Sequence, residues 1–192
     1  MNKKVLVVVS HPDDETIWMG GTLLTNKNEW DLTIISLCRK SDKDRAPKFE
    51  RACRMYNAGC YMSDIEDTDL NDVSSDEIIK EIKKYALGYY DFIYTHGENG
   101  EYGHKRHIET NKAVKEMIKS KKISCRKLYT FSYKIVGTVC LANRNADKFI
   151  KFDTNLLKQK KKLIRGVYGF QKNGFEDVCC ADTESFDIRE IK

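Results

Sequence analysis

The sequence predicts an α/β fold: a three-layer sandwich with a mainly parallel sheet and some antiparallel strands toward the carboxyl terminus. Two observations carry the expectation. Val5-Leu6-Val7-Val8-Val9 is continuously apolar rather than alternating, the pattern of a strand buried on both faces. Strand-like and helix-like segments then alternate as far as Ser132, the order that builds βαβ units.

Each element has a local reason. Lys4 to Ser10 is the first strand, rich in β-branched residues. Thr16 to Asn26 reads as a helix in spite of Gly20-Gly21, which weaken it but allow close approach to the sheet or to a substrate. Asp31 to Cys38 is a second strand. Pro47 to Ala58 is helical, with Ala52, Met55 and Tyr56 on one face and Gly59 as its stop. Ser74-Ser75-Asp76-Glu77 has the form of a capping box, opening a helix to about Leu87 with Ile78, Ile79, Ile82, Tyr85 and Ala86 as its apolar set. Asp91 to Thr95 is a strand. His104 to Lys119 is a helix with Ala113, Val114, Met117 and Ile118 inward. Lys127 to Ser132 is a further strand, Ile135 to Leu141 and Lys148 to Phe152 are antiparallel pieces, and Thr154 to Tyr168 is a late helix. No repeat, low-complexity segment or linker interrupts the 192 residues, which predicts a single domain over 1–192.

Composition narrows the function classes. Apolar content is 41% and charged content 33%, so the chain is globular with a heavily charged surface. The net charge of +5 mildly favours an anionic partner, but the densest basic run, Lys158-Gln159-Lys160-Lys161-Lys162, reads as a solvated helix face, and no nucleic-acid partner is expected. Seven cysteines, odd in number, irregularly spaced and without a Cys-x-x-Cys pair, argue against a disulfide framework or a thiolate metal site. Cys38, Cys53 and Cys140 sit among apolar residues as small hydrophobes. The apolar stretch near the start is too short for a signal sequence, and none reaches the ~18 residues of a membrane span. The expectation is a soluble, reduced, cytoplasmic protein.

The chemistry concentrates in two segments. His11-Pro12-Asp13-Asp14 follows the first strand, and the carboxyl ends of strands in an open α/β sheet border the ligand crevice. Asp91 to His96 leads through a glycine-rich loop to Gly103-His104-Lys105-Arg106-His107. A hydrolytic zinc site takes three ligands from His, Asp or Glu and leaves a position for water. His11 and Asp14 flank one tight turn, and a third ligand must come from elsewhere. His104 and His107, three apart at a helix start, share a face, so one can bind metal while the other faces substrate. Asp13 remains as a natural general base. The bland alternative is that Asp13 or Asp14 is only a helix cap; the combination of ligand types at two strand ends favours a metal.

These motifs, His11-Pro12-Asp13-Asp14-Glu15 after a leading strand and Gly103-His104-Lys105-Arg106-His107 about ninety residues on, resemble the LmbE-like family, the zinc-dependent N-acetylglucosaminyl-phosphatidylinositol de-N-acetylases. Gly20-Gly21-Thr22-Leu23, Glu50, Ala52, Ala58-Gly59, Asp69-Leu70-Asn71-Asp72, Tyr168 to Gln171 and Glu184-Ser185-Phe186 support it. The resemblance implies a Rossmann-like sandwich in which His11, Asp14 and His107 bind Zn2+, with Fe2+ or another divalent ion as an alternative. It implies Asp13 as general base and His104 as the imidazole that, when protonated, stabilises the tetrahedral oxyanion and helps the amine depart. The implied substrate is an N-acetylglucosamine-type sugar or glycoconjugate. Two segments depart from the family pattern. Lys105-Arg106 stands where Pro-Asp is frequent, and Arg39 to Arg45 replaces a glycine-rich stretch with Gly-Glu. Arg39, Arg45 and Arg106 are therefore candidate contacts for a substrate phosphate or carboxylate, with a solvated surface role as the alternative. Hydrolysis of another amide or a phosphoester would use the same ligands. A non-catalytic glycan or nucleotide binder is the third class, although no Gly-x-Gly-x-x-Gly follows the first strand.

Overall fold

The computed structural model describes residues 2–191. Five parallel strands form one part of a seven-stranded sheet: β1 (Lys3–Val9), β2 (Trp30–Ser36), β3 (Gly59–Met62), β4 (Gly88–Thr95) and β5 (Ile123–Phe131). β6 (Tyr133–Val136) and β7 (Val139–Ala142) form a separate hairpin. β8 (Lys148–Lys151) and β9 (Thr183–Glu190) complete the large sheet, whose order is β3-β2-β1-β4-β5-β9-β8. β9 runs antiparallel to both β5 and β8.

β1 is central because it is the most apolar segment. Val5 to Val9 are fully buried, and at ~1.5–3 kcal/mol per large apolar side chain their burial is worth on the order of 10 kcal/mol before chain entropy is subtracted. Val5, Val7 and Val9 point into one core and Leu6 and Val8 into the other. The first core lies under α1 (Asp14–Asn26), α2 (Arg45–Met55) and the late helical segments: α6 (Thr154–Lys161), the π-helical turns at Lys162–Val167, and α7 (Phe175–Cys179). The second lies under α3 (Ser75–Lys83) and α5 (Lys105–Lys119), with α4 (Gly100–Gly103) a single irregular turn between β4 and α5. The strand order reverses between β1 and β4, since β1 connects outward to β2 while β4 lies on its other side. The carboxyl ends of these two strands therefore open a crevice.

Ser74 caps α3 as expected, accepting from the Glu77 amide at 3.2 Å, although the helix closes at Lys83 rather than near Leu87. α1 begins at Asp14, two residues before the expected start. Ile135 to Leu141 is two strands, because Gly137 takes φ +63° and turns the chain. The Thr154 to Tyr168 helix widens into π turns after Lys161. β3, α7 and β9 lie outside the sequence expectations. Gly21 serves close packing: a Cβ there would meet the Phe152 ring at 2.5 Å. Its amide donates to Glu184 Oε1 at 2.7 Å, in a buried cluster where Glu184 also pairs with Lys160 at 2.7 Å.

Candidate active site

After β1 the chain turns sharply. Asp13 sits at φ +126°, a strained position for a non-glycine residue, and its carbonyl accepts from the amides of Thr16 and Ile17, opening α1. Its side chain makes no capping bond and instead accepts from Arg45 Nη1 at 2.9 Å. Asp14 is the first residue of the helix. Its Oδ1 accepts from Trp18 Nε1 at 3.0 Å and its Oδ2 from the His11 amide at 2.8 Å, so the carboxylate is held from two sides.

Asp14 Oδ2 faces His11 Nδ1 at 3.2 Å and His107 Nε2 at 3.4 Å, and the two imidazole nitrogens lie 3.1 Å apart. These three atoms form a nearly equilateral triangle. A tetrahedral zinc with ligands at ~2.0–2.1 Å has ligand–ligand edges of roughly 3.3–3.4 Å. The arrangement fits a divalent cation in donor type, in spacing and in outer support. His107 Nδ1 donates to Glu101 Oε2 at 2.6 Å, which leaves Nε2 with its lone pair toward the triangle. On the other side, His11 Nε2 lies 2.9 Å from Asp67 Oδ1, at ion-pair distance but off hydrogen-bond alignment.

The electrostatics follow. Burial alone would lower the His11 pKa, but the carboxylates of Asp14 and Asp67 outweigh it and raise it to about 9. Burial would raise Asp14, yet His107 and His96 hold it well below the usual carboxylate range. Asp13 is pushed well above its ordinary value by burial and by the Asp14 charge, with His11 and Arg45 pulling the other way. His104 is half-buried, its ring centroid 4.8 Å from that of His11 and 4.6 Å from that of His107. Burial and those two neighbours lower its pKa to about 4, so a protonated His104 needs an anionic neighbour to hold its charge.

Arg39 and Arg45 both line the cleft, together with Trp18, Tyr102 and Phe175. Each is engaged with a carboxylate: Arg39 Nη2 with Asp67 at 2.9 Å, and Arg45 with Asp13 while lying 4.7 Å over the Phe170 ring. Arg106 is elsewhere. Its side chain is fully buried, bonded to Glu109, Glu66 and the Asn71 carbonyl, and is not among the cleft-lining residues.

Sequence reasoning missed three participants. His96, at the end of β4, is fully buried and stacks on His107 with ring centroids 3.8 Å apart; its place at the switch-point strand end was the available signal. Glu101 accepts from His96 Nδ1 at 2.8 Å, from His107 Nδ1 and from the Gly97 amide at 2.7 Å. Gly97 leaves no room for a side chain, since a Cβ would stand 2.4 Å from the Phe131 carbonyl. Asp67 carries no local signature.

The family model described as PIG-L, GlcNAc-PI de-N-acetylase, matches residues 6–118. An uncharacterized protein of Acanthamoeba polyphaga mimivirus is 23% identical over 182 residues, 82% of this chain and 78% of that protein. Among solved structures, N,N'-diacetylchitobiose deacetylase from Pyrococcus horikoshii superposes with a TM-score of 0.74 at 17% identity, over 98% of this chain and 84% of that one. GalB, the 4-carboxy-2-hydroxymuconate hydratase from Pseudomonas putida, superposes with a TM-score of 0.72 at 13% identity, over 99% and 97%. These structural matches establish a shared fold.

Proposed function

The chain belongs to the GlcNAc-PI de-N-acetylase family, and from that premise we propose that it is a zinc-dependent hydrolase. It removes the N-acetyl group from an N-acetylglucosamine-type sugar or glycoconjugate, releasing acetate and a free amine. The observation that carries the proposal is the triangle of His11 Nδ1, Asp14 Oδ2 and His107 Nε2 at 3.1–3.4 Å, with the Asp13 carboxylate beside it at the cleft.

In this reading His11, Asp14 and His107 hold the cation. When bound, a divalent ion supplies Lewis acidity to the amide carbonyl and acidifies water. Asp13 accepts the proton of the attacking water and delivers it to the departing nitrogen. Its raised pKa suits a group that must carry a proton partway through the reaction, and the Arg45 contact fixes its orientation. His104 faces the same space and donates a hydrogen bond to the developing oxyanion. Trp18, Tyr102 and Phe175 furnish apolar walls for a sugar ring. Arg39 and Arg45 shape the cleft through Asp67 and Asp13, and either can turn to an anionic group of the substrate. Free cysteines at all seven positions support a reducing, cytoplasmic setting, and among the described residues no helix is long and apolar enough to cross a membrane.

Acetate release from a panel of N-acetylated sugars, with chelator and with metal restored, tests the proposal. The hydratase activity of GalB on this fold makes an unsaturated carboxylate the informative control substrate.

A further inference from the structure

The Lys105-Arg106 pair, set between the two histidines of the second motif, has no place in the cleft. Both side chains reach instead to the loop joining β3 to α3. Arg106 Nη2 donates to Glu66 Oε2 at 3.2 Å and to the Asn71 carbonyl at 3.1 Å, while Nη1 holds Glu109 on its own helix. Lys105 Nζ donates to the Leu70 carbonyl at 2.6 Å and pairs with Asp72 at 2.5 Å. Glu66 in turn gathers the amides of Thr68, Asp69 and Asn71 at 2.5, 2.7 and 3.0 Å. Leu70 takes φ +50° within this turn, a conformation the loop must hold against the preference of a leucine. The residue these bonds surround in sequence is Asp67, whose Oδ1 lies 2.9 Å from His11 Nε2.

We infer that Arg106, assisted by Lys105, is a positioning residue: it fixes the Glu66–Asp72 turn on α5 so that Asp67 stays against His11. The adjacent residue on the helix is His107. One buried guanidinium thus ties the half of the site that follows β1 to the half that opens α5. A carboxylate behind an imidazole sets which nitrogen carries the proton and how the ring is aimed. Glu101 does this for His107; the clamp gives Asp67 the corresponding place behind His11. A fully buried cation bonded to two carboxylates and a carbonyl is poorly suited to binding a substrate, because any incoming anion would have to displace three existing partners.

The inference rests on His11, Asp14 and His107 holding the cation, and the test separates the two. Zinc affinity is measured by competition with a chromophoric chelator, using zinc alone as the probe. Wild-type protein that binds no zinc overturns the metal reading and the clamp's role with it. With wild type binding, Arg106→Gln should weaken zinc by about 10–100-fold, and Arg106→Lys should fall between. Should Arg106→Gln fail to fold, Glu66→Gln decides, since it leaves Arg106 paired with Glu109. It should weaken zinc and speed hydrogen exchange at the Thr68, Asp69 and Asn71 amides but not in α5. In an Asp67→Asn background, Arg106→Gln or Glu66→Gln should add less than about twofold, because the clamp acts through Asp67. Unchanged affinity in both single variants would overturn the inference. So would an equal loss with and without Asp67.

Discussion

His11 Nδ1 and His107 Nε2, ninety-six positions apart in the chain, lie 3.1 Å from each other with Asp14 Oδ2 completing the triangle. Parallel pairing of β1 with β4, Val8 opposite Thr95, brings the two segments to one end of the sheet. Ser10 donates its amide to His96 Nε2 at 2.9 Å and shares a hydroxyl bond with Thr110 at 2.9 Å, locking the first turn to α5.

Asp13→Asn should lower the rate of acetate release by about 10²–10⁴-fold while zinc affinity stays within a few-fold of wild type, because Asp13 lies outside the triangle and pairs with Arg45. Parallel turnover and metal-titration measurements check this. Activity within threefold of wild type would remove Asp13 from the role of base.

Glu101→Gln should weaken zinc binding by about 10–100-fold. The carboxylate accepts from both His107 and His96, and an amide cannot accept equally from both rings and from the Gly97 amide. Chelator competition reads the loss, and an unaltered affinity would show that His107 needs no partner behind it.

The metal-free protein should lose stability as pH rises from about 6.5 to 9 and again as it falls below about 3.8. Burial lowers the His11 pKa, but Asp14 and Asp67 outweigh it and raise it from 6.5 to about 9. The stability this contributes is present below 6.5 and is lost as pH rises to about 9. Burial raises Asp67, but His11 and Arg39 bring it from 3.8 to about 2, so its contribution is present above 3.8 and is lost as pH falls. The alkaline loss from His11 is on the order of 3 kcal/mol. Urea unfolding in the presence of chelator across this range is the measurement; stability that rises from pH 6.5 to 9 would contradict it.

Glu184→Ala should cost about 3–5 kcal/mol in unfolding free energy, since it strands the fully buried Lys160 ammonium. It also strips an acceptor from the Gly21 and Thr22 amides and the Thr22 hydroxyl. Equilibrium denaturation checks it, and a loss under about 1 kcal/mol would mean that water reaches Lys160.

Elements with strong local signals were legible in the sequence. β1 is five consecutive buried apolar residues, and α3 carries its own cap. β3 was not, because only one of its four residues is buried, and β9, Thr-Glu-Ser-Phe-Asp-Ile-Arg-Glu, is too charged to read as a strand until β5 and β8 flank it. The site divides in the same way. His11, His104 and His107 are three of only four histidines and stand at strand and helix ends, so a convergence of imidazoles is legible from the residues, whereas Asp14 and the choice of His107 over His104 rest on the family resemblance. Glu101, in the irregular turn α4 at φ +58°, and Asp67, in a loop, are single carboxylates, and only the tertiary structure places them behind imidazoles. The three arginines are read from sequence by charge alone, whereas Arg39 and Arg45 each face a carboxylate in the cleft and Arg106 is buried outside it.

The most direct measurement is the X-ray absorption spectrum of the zinc-loaded protein beside its His107→Ala variant. Wild type should show nitrogen and oxygen scatterers at ~2.0–2.1 Å with the outer scattering of two imidazoles, and the variant should lose one imidazole or the ion itself. Sulfur scatterers at ~2.3 Å, or a wild-type spectrum unchanged by the substitution, would contradict the site.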